Sequence, residues 1–441
     1  MTTSTILPAE TRKAVNITVP MLARVEGEGA LHIKIKGGRV ADVKLEIFEP
    51  PRLFEAFLRG RPASEAPDIT ARICGICPIA YQMSAVHAME KIYGITLDPA
   101  VRLLRRLFYC GEWIESHALH IFLLHAPDFL GFQDAIEMAQ KHPAEVQLAL
   151  RLKKIGNEIV RILGAREIHP ISACIGGFWR VPAKAELEPL REDLKWALEA
   201  ARQAARLVAT FPFPDFSPEN IEYVALSHPE EYAMNEGRVV STNGIDIAVE
   251  DYEQVFAEQH VKHSNALHSV IRERGAYQVG PIARFNINHE RLSEAARQLA
   301  VDVGLTAPVH NPFQSIIVRA VETAYAAEEA LRCIDLYEQP TAPHAAWTPK
   351  AGRGCHATEA PRGLLYHRYD VDEHGHIRTA KIVPPTAQNL KQIEDDLWHF
   401  VPSLLDKPVE EITLRCEQAV RNYDPCISCA THFLKVHLEH E

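Results

Sequence analysis

Between residues 15 and 48 apolar and polar positions alternate. Leu31, Ile33 and Ile35 are separated by polar residues, and Val43, Leu45 and Ile47 alternate with Asp42, Lys44 and Glu46. This is the period of two of half-buried strands. Gly37-Gly38 between the two runs predicts a hairpin turn. From about Pro78 the period lengthens to three and four. It predicts helices near 78–93, 99–126, 133–165, 183–210, 289–303, 313–337 and 386–402, each with a charged opposite face. Pro, Gly or Asn often punctuate their ends. Residues 211–285 mix short alternating stretches with Pro and Gly. Residues 340–385 read as irregular, with a short hairpin around Asp372-Glu373-His374-Gly375. There is no internal repeat and no low-complexity linker. The pattern predicts an α+β, predominantly helical fold, in which 1–441 form a single domain built as a large helix bundle with peripheral β segments.

Composition narrows the class. The net charge is -11, with 24% of residues charged and 47% hydrophobic. That excludes a nucleic-acid binder, which needs clustered positive charge. No apolar run is long enough for a membrane span, and Met1 to Arg12 lacks the apolar core of a secretory signal. The expected location is cytoplasmic.

Nine cysteines in a chain of this length point to metal or catalytic thiols rather than a disulfide scaffold. Five stand alone, at 110, 174, 333, 355 and 416, and read as small buried hydrophobes. The other four form two CxxC pairs, Cys74/Cys77 and Cys426/Cys429, near opposite ends of the chain. Each spacing lets two sulfurs converge on one metal, and four thiolates are a soft donor set for Zn, Ni, Fe or an Fe–S cluster. Zinc ribbons keep their pairs tens of residues apart. Here the chain ends must meet inside the fold, and on spacing alone a structural zinc clip stays open.

The flanking residues resemble those of nickel–iron hydrogenase large subunits. RICGICP (72–78) and DPCISCATH (424–432) look like that family's two signature motifs. Arg24-Val25-Glu26-Gly27, Glu55 to Arg61, Gly164 to Gly177, Glu359-Ala360-Pro361-Arg362-Gly363 and Pro384-Pro385-Thr386 are similar to its other elements, in the same order. One departure is Tyr81, where many members carry His; a hydrogen bond assigned to that His cannot be transferred. The length and this variant resemble the cytosolic, cofactor-coupled branch, NAD(P)-linked or sulfhydrogenase-like.

The resemblance implies a Ni–Fe centre, with CO and cyanide on the iron, held by Cys74, Cys77, Cys426 and Cys429. Cys74 and Cys426 would be terminal on Ni and the other two bridging, and a terminal thiolate such as Cys426 would take a proton. It implies Glu26 as proton relay, against the simpler reading of a solvated strand-end carboxylate. Arg362 would stand over the open metal position, with Asp128 near it. Thr386 would donate to a cyanide, unless it is only a helix cap. Glu55, His432 and the carbonyl of Ile382 would hold a second metal, Mg or Fe. His117, His120 and His125 read as core or surface histidines rather than a separate metal site. The substrate would be H2. No GxGxxG follows a strand and no further paired cysteines exist. Electrons would therefore leave through an Fe–S small subunit, with flavin- and NAD(P)-binding diaphorase subunits behind it. The rivals are a metal-free relative, the quinone-site subunit of respiratory complex I, and a structural zinc protein. The family also implies cleavage after His432, which makes 433–441 a removable extension.

Overall fold

The alternating N-terminal segment forms a three-stranded antiparallel sheet, β1 (Ala14–Val19), β2 (Gly29–Lys36) and β3 (Arg39–Ile47), in that order. The structure, a computed structural model, describes residues 14–432; the expected extension 433–441 lies outside the described residues. Gly37 and Gly38 take φ of 56° and 74°, the left-handed values a tight hairpin requires. The inward row Leu31, Ile33, Leu45 and Ile47 is buried in one core with Leu390, Ile393 and Leu397.

The helical bundle comprises α1 (Pro78–Tyr93), α2 (Pro99–Ala118), α3 (Pro143–Gly164), α4 (Leu190–Val208) and, after a β4–β5 hairpin (Phe256–His260, Leu267–Ile271), α5 (Ser315–Leu336). Helix α2 lies at its centre against α3 and α5, and α4 packs on α5. Asp98 starts α2 by accepting the Ala100 N–H at 2.8 Å, with Pro99 in the first turn. Helices α2 and α3 cross closely. A Cβ on Gly156 would lie 2.6 Å from the Gly111 carbonyl oxygen, so only glycine fits there.

The breaks in the expected helices have local causes. The segment 99–126 is α-helical only to Ala118; a π-helical stretch, Leu119–His125, and a short helix, Ala126–Leu130, follow. Pro127, which cannot donate to an ordinary helical ladder, lies in that last piece. The segment 133–165 breaks at His142, which Pro143 pushes out of helical geometry to φ −123° and ψ 53°. The segment 183–210 is likewise interrupted at Pro189.

Three differences from expectation matter more. Helix α1 has no charged face: every residue except Lys91 is buried. Residues 352–383, expected to be mostly irregular, form an antiparallel sheet of β6 (Gly352–Ala360), β7 (Gly363–Val371) and β8 (Ile377–Val383) that covers α1. Among the described residues, two helices of eight or more residues lie outside the expected segments, Pro281–Asn288 and α7 (Val409–Arg421), which follows α6 (Pro385–Phe400).

Buried charges pin the bundle to the sheets. Arg105 makes a two-pronged pair with Glu90, at 2.8 and 2.6 Å. Arg284 bridges Glu322 and Glu359 and also donates to the carbonyls of Ala360 and Pro361. Removing one partner of such a pair typically costs about 3–5 kcal/mol, because the other charge is left buried and alone. Arg284 thus fixes the turn that carries Arg362.

Candidate metal centre

Both cysteine pairs sit at the mouths of helices. Cys77 precedes α1, with Pro78 opening it, and Cys426 precedes the one-turn helix Ile427–Ala430. The chain ends meet through main-chain pairing: the Ile427 N–H donates to the Glu26 carbonyl at 2.8 Å, bridging residues 26 and 426 in parallel. The four cysteines are buried, none is in a disulfide, and their sulfurs lie within 4.8 Å of one another. Cys74 Sγ is 3.5 Å from Cys426 Sγ, which is 2.7 Å from Cys429 Sγ. Two sulfurs each about 2.3 Å from a shared ion lie at most roughly 4.6 Å apart, so this spread suits thiolates around one compact metal centre.

The electrostatics ask for a cation. Burial raises the Cys74 thiol, but hydrogen bonding from Cys426, Cys429 and Cys77 and the charge of Arg362 pull it well below the usual value. Burial and its contacts with Cys426 and Cys74 push Cys429 well above it. A bound multivalent ion would favour the thiolate form of all four. The donor set therefore fits a thiolate-bound nickel–iron centre.

Around the thiols the expected residues fall as follows. Glu26 Oε2 lies 3.2 Å from Cys426 Sγ and accepts the Ser428 N–H at 3.1 Å. Ser428 Oγ donates to Glu49 Oε2 at 2.9 Å, and Glu49 is paired with Arg52. Burial tends to raise the Glu49 carboxyl, but hydrogen bonds from Ser428 and Arg52 bring it below its ordinary value. Arg362 is 2% exposed. Its Nε donates to the Asp424 carbonyl at 2.7 Å and its Nη2 to Asp424 Oδ1 at 3.0 Å, while buried Nη1 has no protein partner. Thr386 lies in the first turn of α6, behind Pro384, so it is not the cap; its Oγ1 accepts the Cys426 N–H at 2.9 Å.

Glu55 links the other expected pair. Its Oε1 accepts the Ile382 N–H at 2.8 Å, and its Oε2 lies 3.1 Å from His432 Nε2. These residues line a cavity of about 440 Å³ with Glu258, His260 and Cys429. Asp128 does not stand beside Arg362. Its carboxylate pairs with Arg421 at 2.7 and 2.9 Å and with Arg24. Asp424, inside the second cysteine motif but given no role by sequence, is the partner of Arg362; its φ of 50° turns the chain towards that guanidinium. His117 bonds Glu322 at 3.0 Å and His120 the Arg421 carbonyl at 2.8 Å, as core histidines do.

Gly27 permits the approach of Glu26 to Ser428. Its φ is +90°, and a Cβ there would lie 2.5 Å from Glu49 Oε2 and 2.8 Å from the Ser428 nitrogen. Gly38→Ala, with left-handed φ but nothing within 4 Å, should cost only about 1–2 kcal/mol of backbone strain. Gly27→Ala should lower the thermal midpoint further and also reduce metal occupancy. Equal midpoints and equal metal content in the two variants would contradict the close packing described.

The family model for nickel-dependent hydrogenase matches residues 52–158 and 271–432. The chain belongs to the nickel-dependent hydrogenase family. It is 34% identical over 423 residues to the sulfhydrogenase 1 alpha subunit of Pyrococcus furiosus, covering 95% of this chain and 98% of that one. It is 27% identical over 470 residues to the beta subunit of the NAD-reducing hydrogenase HoxS of Cupriavidus necator, covering 95% of each. A crystal structure of an NAD+-reducing nickel–iron hydrogenase in the H2-reduced state superposes with a TM-score of 0.86 at 27% identity, over 95% of this chain and 99% of that one. Among the described residues no helix is long and apolar enough to cross a membrane.

Proposed function

We propose that this chain is the catalytic subunit of a cytoplasmic nickel–iron hydrogenase that interconverts H2 with two protons and two electrons. The observation that carries this reading is the convergence of four buried cysteine sulfurs from both chain ends within 4.8 Å, with the Glu26 carboxylate 3.2 Å from Cys426 Sγ and the buried Arg362 guanidinium near enough to feel the charge of Cys426, Cys77 and Cys74. When bound, a nickel–iron centre with CO and cyanide on the iron supplies a Lewis acid for H2 and the capacity to store electrons. Cys74, Cys77, Cys426 and Cys429 would hold it.

The protein's own groups then handle the proton. Cys426 Sγ would be the base, and Glu26 Oε2, 3.2 Å away, would take the proton from it. The Ser428 N–H fixes the Glu26 carboxylate at this distance, and Ser428 Oγ in turn donates to Glu49, which is paired with Arg52. Asp424 holds Nε and Nη2 of Arg362 and leaves the buried Nη1 without a protein partner, which supports a role in binding cyanide and polarising H2. Thr386 orients Cys426 through the main chain and keeps its hydroxyl hydrogen for a second contact, such as a cyanide. Glu55 and His432, with the Ile382 segment, would hold Mg or Fe in the adjoining cavity. Relatives are named as single subunits of larger enzymes, one of them NAD-reducing, and electrons would leave this chain through an Fe–S small subunit to flavin- and NAD(P)-binding subunits.

The test is H2-dependent reduction of NAD(P)+ or a viologen dye by the purified complex, together with H/D exchange under reducing conditions. Both should be present and both lost in Cys429→Ser. A properly assembled complex with neither activity would contradict the reading.

A further inference from the structure

Outside the cysteine site, one buried cluster combines metal-ligand chemistry with geometry that hydrogen bonding does not explain. His263 lies in the β4–β5 connection, His268 on β5 and Glu394 on α6, and one ligand atom from each lies within 4.8 Å of the others. His263 Nε2 is 2.8 Å from Glu394 Oε1, which also accepts the Leu45 N–H of β3 at 3.0 Å. The carboxylate is thus held in place by main chain. His268 Nδ1 is 3.9 Å from Glu394 Oε2. That is too long for a hydrogen bond. It suits two ligands of one ion, which lie about 3–4 Å apart when each bond is about 2.0–2.2 Å. The His268 ring is 1% exposed and its Nε2 has no protein partner either. A buried ring nitrogen left without a partner is costly.

We infer that His263, His268 and Glu394 form a site for a divalent transition-metal ion that is separate from the cysteine centre. Two imidazoles and one carboxylate suit Zn2+ or Fe2+, not Mg2+. Burial, opposed only in part by Glu394, pushes His268 down to about 4, so the ring is neutral and its lone pair is available at pH 7. His263, 21% exposed at its side chain, gives an entry path. The position suggests what the ion does. Residues 264–266, between the two histidines, receive the C-terminal segment. The His432 N–H donates to the Asn265 carbonyl at 2.9 Å, and Ala266 bridges Thr431. At its other end α6 holds Cys426 through Thr386. An ion joining this loop to α6 therefore staples together the two supports on which Cys426, Cys429 and His432 dock.

The probe is Zn2+ on the intact hydrogenase complex. Wild type, His263→Ala and His268→Ala enzymes are treated with a mild chelator, loaded with Zn2+, desalted and analysed for Zn, Ni and Fe. Wild type should retain one more zinc per large subunit than either variant, with equal Ni and Fe in all three. Zinc-edge X-ray absorption should show nitrogen and oxygen neighbours without sulfur for that ion, and zinc should raise the thermal midpoint of wild type only. His263 is partly exposed and lies in a loop, so its variant tests the site even if His268→Ala misfolds. Equal zinc retention in wild type and His263→Ala, no retention at all, or sulfur ligation would each overturn the site.

Discussion

Replacing Glu26 with Gln should lower H2 oxidation and H/D exchange about 10²–10⁴-fold, the usual contribution of a positioned proton-transfer group, with nickel and iron content unchanged. The amide keeps the size of the side chain and an oxygen to accept the Ser428 N–H, so the turn that holds Cys426 and Cys429 should stay closed. What it loses is a titrating atom 3.2 Å from Cys426 Sγ. Reduced metal content in the variant would make Glu26 a structural brace. Undiminished exchange with full metal content would move the proton to another route.

Arg362→Lys should lower turnover about 10²–10³-fold, the usual loss when a preorganised donor at a reacting site is removed, again with metals bound. Asp424 takes Nε and Nη2 of the guanidinium, and the buried Nη1 is left without a protein partner. An ammonium keeps the charge but cannot span the carbonyl and carboxylate of Asp424 while presenting a third, fixed donor. If the proposed centre carries CO and cyanide, their infrared bands should shift in the variant, reporting the lost donor independently of rate. Wild-type turnover with unshifted bands would remove Arg362 from the site.

The site was legible in the sequence where its chemistry is local. Each CxxC turn brings two sulfurs together by spacing alone, and the family resemblance pointed to Glu26, Glu55 and His432. Contacts made by tertiary closure were not legible. Nothing in Asp424-Pro425 shows that this carboxylate pairs with Arg362, and Asp128, expected there, instead ties Arg24 to Arg421. The hairpin at Gly37-Gly38 and the long helices follow from periodicity and turn chemistry. The sheet β6–β8 does not, because β6 and β7 are buried on both faces and so show no alternation. Buried polar residues such as His356, Thr358 and Glu359 further disguise it, and their partners lie in other elements. Helix α7 does carry a helical stripe, Ile412, Cys416 and Ala419, that can be read in retrospect. The triad of His263, His268 and Glu394 has no sequence signature, since its carboxylate arrives from a distant helix.

The most direct test is metal analysis of the large subunit from the active complex. Nickel and iron should each be present at one atom per chain in the cysteine site, and both should be absent from Cys77→Ala and Cys429→Ala. A wild-type chain that holds only zinc at these four cysteines, or no metal at all, while the complex still oxidises H2 would contradict a cysteine-bound nickel–iron centre.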